Sequence, residues 1–348
     1  MKLQLAQRGR ALMDWEVSAR QTANALHRKA IDELALKGLT SETLPDDMNI
    51  RHDVIDEALS DSPTYDARHL LAEWCAKNHG LAAQEAFDEV RPKVAAQLDT
   101  LALGSTTIEV LPHFEGPPRY YDQAWFHRTE GGWDAGDYNG AVHAKVVTER
   151  YLSKVFPGDA EVNRQRTLDQ LPPHDYRRVL EVGASSGYFT LALANRLPNA
   201  EIHGVDPSLR MLEQARRVAN EAGLTWRLFV GMGEDTRLDG ESYDLVAAYI
   251  VHHELPPRII RDLFREAHRL LRPGGVILIG DIPPYRELSH IESWSFDWVA
   301  RYHGEPYWRA VACMDMGAEA QAAGFEQVSA RGVGPGCYPY VVTGRKAL

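Results

Sequence analysis

Two carboxylates and two glycines set the first chemical constraint. Glu181, Gly183 and Gly187 fall in the run Val179-Leu-Glu181-Val-Gly183-Ala-Ser185-Ser-Gly187-Tyr, and Asp206 in Gly204-Val-Asp206-Pro-Ser. A hydrophobic stretch leads into a loop of small residues, where the lack of side chains at Gly183 and Gly187 lets backbone approach a ligand closely. Glu181 stands just before that turn. A carboxylate there would repel a pyrophosphate, whose usual cradle is lysine or bare backbone amides. It suits a ligand that carries positive charge. Asp206 ends the next hydrophobic run, the position from which doubly wound folds hold a ribose through its hydroxyls. A dinucleotide loop would need G-x-G-x-x-G, whereas Ala184, Ser185 and Ser186 separate just two glycines. A third polar group, His252-His253-Glu254, follows the apolar run Tyr243–Ile250.

The elements that must hold these residues alternate. From about Leu168 the pattern predicts strands at Arg178–Val182, Glu201–Val205, Trp226–Gly231, Tyr243–Ile250 and Val276–Asp281, with helices at Gly187–Leu197, Pro207–Ala222 and Pro256–Leu271 between them. Such alternation implies a mostly parallel sheet with crossover helices. Phe325–Ala330 and Tyr340–Gly344 are close enough to pair as an antiparallel hairpin. The fold expected is therefore α/β, a seven-stranded, mostly parallel, doubly wound sheet with an antiparallel C-terminal hairpin, preceded by a mainly α-helical region. In that region apolar residues recur at helical spacing from Ala11 to Lys37, and Gly38 is placed to end the helix. Pro45–Pro63 reads as a connection with a short helix inside. Two helices, Asp66–Asn78 and Ala82–Leu98, are expected on either side of His79-Gly80. Pro117–Tyr138 mixes six aromatic residues with glycines and charges and reads as an irregular loop, followed by a helix over Gly140–Val155 and a linker at Pro157–Asp159. The expected organisation is a helical domain over 1–116, serving dimerisation or as a lid; a connecting loop and helix over 117–160, covering the active site; and the sheet domain over 161–348, with a substrate-binding insertion at about 283–316.

Composition narrows the function classes. The 348 residues are 44% hydrophobic and 25% charged, as in ordinary folded proteins. None of the three cysteines stands in a CxxC or CxH spacing, which argues against a structural zinc site or a disulfide framework. The formal charge is −11, and residues 1–160 alone carry 17 Lys/Arg against 25 Asp/Glu. A general nucleic-acid partner needs a basic face, so none is expected. The first residues lack the apolar core of a signal peptide and no stretch is long and apolar enough to span a bilayer, so the expectation is a cytoplasmic protein without membrane partners.

Taken together, these motifs resemble those of the class I S-adenosylmethionine-dependent methyltransferases. That family's loop is an acidic residue followed by Gly-x-Gly-x-Gly, matched here at Glu181, Gly183 and Gly187 with Ser185 in place of the middle glycine. Gly204-Val-Asp206-Pro-Ser is similar to the ribose motif, Leu271-Arg-Pro273-Gly274-Gly275 to the turn into the fifth strand, and Ala323-Gly324-Phe325 to the entry to the sixth. The resemblance covers about residues 168–346. It implies S-adenosyl-L-methionine as cofactor and S-adenosyl-L-homocysteine as product. It implies a cofactor site of Glu181, Gly183, Ala184, Gly187, Asp206, Pro207, Gly233, Glu234 and Tyr249. Glu234 and Asp235 read equally well as contacts to the adenine amine and as a helix cap or solvated turn.

For the acceptor, a positioned base helps a neutral hydroxyl and is unnecessary for a thioether, carboxylate or amine. His253, with His252 beside it, is the first candidate, although such a pair also serves merely to shape the loop. Members of the family that methylate catechols hold a divalent cation with carboxylates after the fourth and fifth strands. Glu254 and Asp281 stand roughly there, but Ile282 replaces the family's second residue, and no metal is assigned. Five of the eight tryptophans lie in Pro117–Tyr138 and Pro283–Met316. These two segments supply the expected acceptor-binding residues Tyr121, Phe126, His127, Trp133, Tyr285, Trp298, His303 and Trp308, with mobility expected from Gly131-Gly132. An enclosed, mostly apolar cavity suits a small organic substrate. The expectation is a small-molecule methyltransferase, O-methylation favoured and S-, N- or C-methylation open, with a homodimer possible through the N-terminal helices. The alternatives are methylation of a macromolecule and a non-catalytic cofactor-binding protein of the same fold.

Overall fold

Eight strands make one sheet: β1 (Thr107–Val110), β2 (Arg178–Val182), β3 (Glu201–Asp206), β4 (Trp226–Val230), β5 (Tyr243–Tyr249), β6 (Leu271–Asp281), β7 (Phe325–Gly332) and β8 (Tyr340–Lys346). The computed structural model describes residues 1–128, 132–156 and 158–348. In space the order is β1-β4-β3-β2-β5-β6-β8-β7, parallel from β1 to β6, with β8 running antiparallel between β6 and β7. Register matters more to function than order does. Val182 pairs with Val205 on one side and Ala248 on the other, so β2, β3 and β5 end level at one edge. Whatever follows those three strands is brought together there.

Alternation along the strands feeds two cores. Leu180, Val182, Val205, Val246 and Ile277 pack on one face with Ile260, Leu263 and Phe264 of the helix Pro257–Leu270. Val179, Ile202, Leu228, Leu245 and Leu278 pack on the other, against Phe189 and Leu193 of the helix Tyr188–Arg196 and Leu212 and Ala215 of the helix Leu209–Glu221. A side-chain period of two on strands covered on both faces produces this division.

The sheet has one strand more than the sequence predicts. β1 pairs in parallel with β4 and belongs to a stretch read as part of the helical region. Four residues at a sheet edge, with only Ile108 half-buried, are too few to show a period. The pairing is fixed from its flanks, where the Thr106 hydroxyl accepts the Trp226 amide at 3.1 Å and the Leu111 amide donates to the Val230 carbonyl at 3.0 Å.

The preceding helices are α1 (Gln7–Leu36), α2 (Met48–Ala58), α3 (Pro63–Asp88) and α4 (Arg91–Leu101). Gly38 adopts the left-handed conformation just beyond α1. Asp47 caps α2, and Ser62 caps α3 with Pro63 in its first turn. The break expected at His79-Gly80 does not occur. α3 runs straight through, with the buried His79 ring bonded at 2.8 Å to the Cys75 carbonyl one turn earlier. A single interior glycine costs a helix only about 1 kcal/mol, and Ala82, Ala83, Ala86 and Phe87 beyond it are buried against Met13 and Val17 of α1. That packing outweighs the propensity.

The helix expected after Gly140 runs from Asn139 to Val155, and its middle, His143–Leu152, widens to π-type hydrogen bonding. Such widening is rare and concentrates at functional sites. The insertion after β6 contains the helix His290–Tyr302, opened by a capping box of Ser289 and Glu292, and the short helix Trp308–Ala312. Trp294 packs with Leu34, Ile55 and Leu59, and Trp298 with Ala23 and Ala72, which fastens the insertion to α1, α2 and α3. Of the expected flexible points, Gly131 and Pro157 lie outside the described residues. No helix among the described residues is long and apolar enough to cross a membrane.

Candidate active site

Backbone shapes the half of the site at β2 and β3. Gly183 and Gly187 both adopt positive φ (73° and 85°), and a Cβ on Gly183 would stand 2.3 Å from Val251 Cγ2. On Gly187 it would meet the Ala215 backbone at 2.8 Å. No other residue fits either place. The turn is tied to β3, since the Gly183 and Ala184 amides donate to the Val205 carbonyl at 2.8 and 3.2 Å. Ser185 takes the left-handed conformation (φ 46°) in which its amide donates to Asp206 Oδ2 at 2.9 Å. The other Asp206 oxygen accepts the Ser208 amide at 2.8 Å, across Pro207. Burial pushes the Asp206 carboxyl up to about 7 despite these two amides.

Glu181 is buried, and burial holds its carboxyl well above the usual range. One oxygen accepts the Thr190 hydroxyl at 2.5 Å. Neither carboxylate has a lysine or arginine ion-pair partner among the described residues. Tyr121 Oη, coupled electrostatically to Asp206, is buried without a hydrogen-bond partner. Two buried, uncompensated carboxylates at neighbouring strand ends, beside an orphaned hydroxyl, fit a ligand with a cationic end and a vicinal diol. S-adenosylmethionine has both, so the residues present fit that cofactor. Gly233 lies against Val182 at the end of β2. Glu234 accepts the Tyr120 hydroxyl at 2.5 Å. It lines an open groove of about 480 Å³ with Asp235, Arg258, Asp262 and Arg269. Tyr249 stacks on Phe189, with ring centroids 4.7 Å apart, on the sheet face that also carries Glu181.

Side chains shape the other half. The loop after β5 and the end of β6 meet at Asp281. One of its oxygens accepts the Val251 and His252 amides at 3.0 and 2.6 Å, and the other lies 2.8 Å from His253 Nδ1. Burial pulls the His253 imidazole down, but Asp281 outweighs it and lifts the ring to about 9. Asp281 itself, which burial would raise, is held at about 2 by His253. His252 takes the opposite course. Its ring is fully buried against Phe264, both nitrogens lack partners, and burial lowers it to about 4. The structure thus brings His253 to the site and turns His252 into the core.

Around His253 stand Trp308, with ring centroids 5.3 Å apart, Glu254 and Glu305. His127 Nδ1 lies 2.7 Å from Glu305 and its Nε2 3.5 Å from Glu254. Burial would lower His127, and the two carboxylates reverse this and raise it to about 10. His303 is close by, 6.4 Å from His127 between ring centroids, and burial holds it well below the ordinary histidine range.

Residues 119–128 and 132–139 reach both halves. Trp133 Nε1 donates to Glu254 at 3.3 Å, while Ser208 Oγ donates to Asp134 at 2.9 Å. Asp134 also accepts the Arg210 amide at 3.2 Å. Phe126 is buried and packs on Tyr121, with ring centroids 5.8 Å apart. Behind Trp133 stands His143, on the π-type stretch, at 4.9 Å. Tyr121, Phe126, His127, Trp133, His303 and Trp308 are therefore gathered near His253 or Asp206.

Trp298 and Tyr285 reach this group only through its outer members, Trp298 with its ring 6.3 Å from His303 and Tyr285 packed in the cluster of Trp308. Trp298 is buried under the Arg68 guanidinium, 4.2 Å from its ring centre, and Tyr285 donates at 2.7 Å to the buried Asp297, which also takes His52 and Arg309. An aromatic stripe in the sequence does not say which side of its helix meets a ligand, and Trp298 turns mainly to α1 and α3. The sequence reading singles out neither Glu305 nor Asp134. Glu305 was visible two residues beyond His303, whereas nothing in the sequence marks Asp134.

A family profile described as a methyltransferase domain matches residues 179–275. An uncharacterized methyltransferase of Synechocystis is 26% identical over 183 residues, which is 51% of this chain and 80% of that protein. Trans-aconitate 2-methyltransferase of Azoarcus is 34% identical over 149 residues, 42% of this chain and 54% of the relative. A ribosomal RNA large subunit methyltransferase of Shewanella is 28% identical over 154 residues, 42% and 39% respectively. The chain thus spans four-fifths of the first relative and about half or less of the other two. The profile match spans the glycine turn and both carboxylates, and residues 179–275 form a methyltransferase domain of the class I S-adenosylmethionine-dependent kind.

Proposed function

We propose that this protein transfers the methyl group of S-adenosylmethionine to a small organic molecule, an oxygen being the favoured acceptor, held beneath the segment 119–139. When bound, the cofactor supplies a methyl group on a sulfonium, already activated for in-line displacement, so the protein's task is to position and desolvate. Asp206 would accept the ribose hydroxyls while the Gly183–Gly187 turn brings backbone against the ligand. Glu181 would hold the cationic amino-acid end. His253, fixed by Asp281, and Glu254 would face the polar atom of the acceptor, and Tyr121, Phe126, Trp133 and Trp308 would keep water out.

One observation carries the choice of a small substrate. The segment is anchored at both ends of the site, by Asp134 to Ser208 and Arg210 and by Trp133 to Glu254, so the sheet edge is roofed rather than open. A polymer would need that edge open and basic. Incubation of the protein with a methyl-labelled cofactor and a fractionated cell extract tests the reading. Label should appear in the low-mass fraction. Label confined to RNA or protein would overturn it.

A further inference from the structure

The side chains facing His253 form a set with its own chemistry. A nitrogen or oxygen of each of His253, Glu254 and Glu305 lies within 4.8 Å of the other two, and the same holds for His127, His303 and Glu305. We propose that His253, Glu254 and Glu305 bind a divalent first-row transition-metal ion, with His127 and His303 at its rim.

Three observations converge on this. Nδ1 of His253 faces Asp281 at 2.8 Å, which leaves Nε2 pointing away from it. An imidazole fixed on one nitrogen by a carboxylate and free on the other is the usual arrangement of a metal-bound histidine. Glu305 is 3% exposed, and its Oε2 has no hydrogen-bond partner among the described residues. A buried carboxylate oxygen is costly when unpaired, and a cation at the centre of the cluster would satisfy it. Finally, Glu254, Asp281 and Glu305 form ion pairs with histidines alone among the described residues, and histidine, unlike lysine or arginine, can itself ligate a metal ion.

The donor set selects the ion. Imidazole with carboxylates suits zinc, iron, cobalt or manganese, whereas magnesium and calcium favour all-oxygen shells. At metal–ligand bonds of about 2.0–2.2 Å, opposing donors lie up to about 4.4 Å apart. Small side-chain adjustments would therefore close the cluster on an ion. Three separate stretches supply the donors: His253 and Glu254 follow β5, Glu305 follows the helix His290–Tyr302, and His127 comes from the segment over the site. An ion there would join the roof to the sheet edge. The inference goes beyond the methyl-transfer reading, and its test measures binding alone.

Tag-free protein, stripped with a chelator and dialysed, is titrated with cobalt(II) and followed by visible absorption and calorimetry. One equivalent per chain should bind, with ligand-field bands that zinc abolishes by competition, while magnesium gives no saturable signal. Glu305→Gln and His253→Ala, each checked for folding by circular dichroism, should weaken cobalt binding at least tenfold. Glu254→Gln, altered at a partly exposed side chain, provides the same test should either of those variants fail to fold. No saturable cobalt binding by the wild-type protein, or unchanged affinity in the folded variants, would overturn the proposal.

Discussion

The cofactor side and the acceptor side that we propose for the sheet edge are built by different means. On the cofactor side two short runs, 181–187 and 206–208, do the work: two left-handed glycines, a carboxylate on each of two neighbouring strands, and amides that fix Asp206 from Ser185 and Ser208. On the acceptor side the groups come from four stretches far apart in sequence, ending at Phe126–Trp133, His253–Glu254, Asp281 and His303–Trp308, and side chains fix them. The difference teaches where each half can vary. Backbone geometry tolerates little replacement, because strained turns fail on adding one methyl group. A wall of side chains changes its ligand by exchanging residues, while the sheet beneath stays as it is.

The largest expected effect lies on the cofactor side. Asp206→Ala removes a buried carboxylate that accepts two amides and is placed to accept two hydroxyls. Charge-assisted hydrogen bonds of this kind are worth about 2–4 kcal/mol together, or some 30- to 1000-fold in affinity. Calorimetry should find that loss in a variant whose folding is intact. Undiminished cofactor binding would remove Asp206 from the site, and the comparison would lose its cofactor half.

The same residue gives that half a pH signature. Burial lifts the Asp206 carboxyl from its ordinary value to about 7. The ionised form accepts both hydroxyls, whereas the neutral acid must first release its proton. Affinity should therefore be constant above about pH 8 and fall up to tenfold per unit below pH 7, about 100-fold by pH 5. Calorimetry in buffers of different ionisation enthalpy should register uptake of the released proton by the buffer at pH 6. Asp206→Asn should flatten the profile, and an equally steep profile in that variant would assign the titration elsewhere.

Away from both halves, α1 of the helical layer carries a buried acid that neither uses. Glu16 of α1 is completely buried, and both of its oxygens lack partners among the described residues. Burial raises it to about 7. An acid raised by folding costs nothing while both states are protonated, below about pH 4.5, and destabilises fully once it ionises in the fold, above about pH 7. Glu16→Gln should raise stability by about 3 kcal/mol at pH 8 and leave it unchanged at pH 4. Denaturant unfolding at the two pH values decides this. An equal gain at both would mean that packing, and not charge, is at fault.

What was legible in the sequence follows the same division. The cofactor half could be read because its requirements are local: Gly183 and Gly187 must be glycines in that turn, and Glu181 and Asp206 sit at fixed offsets from it. The sheet was readable from strand alternation, except for β1, whose four edge residues carry too little pattern. The split predicted at His79-Gly80 failed because the packing of α3 on α1 is a long-range effect that overrides local propensity. On the acceptor side residue types were visible and destinations were not. Trp298 and Trp308 belong to the same aromatic-rich insertion. One faces α1 and α3 and the other faces His253, and only the three-dimensional course of the insertion decides between them. His252 and His253 are adjacent, yet the bend after β5 sends one ring to Phe264 and the other to Asp281.

The smallest effect is also the most discriminating between the two halves. Trp133 touches both. Its carbonyl accepts Ser208 Oγ at 3.3 Å beside the cofactor turn, and its indole donates to Glu254 at 3.3 Å on the acceptor side. Trp133→Ala keeps the first contact, which is backbone, and deletes the second together with the ring packed between His127 and His143. If the halves are as separable as their construction implies, the acceptor's KM should rise about tenfold, near 1.4 kcal/mol, while cofactor affinity stays within about threefold. Loss of one neutral hydrogen bond and one aromatic wall supports that magnitude. Trp133→Phe should recover most of the wall and none of the hydrogen bond, so its KM should fall between those of the wild type and the alanine variant. A parallel loss of cofactor affinity would mean that the roof closes on cofactor and acceptor as one body. An unchanged KM in both variants would mean that the acceptor lies outside the roof, and the substrate would then have to be sought among larger molecules.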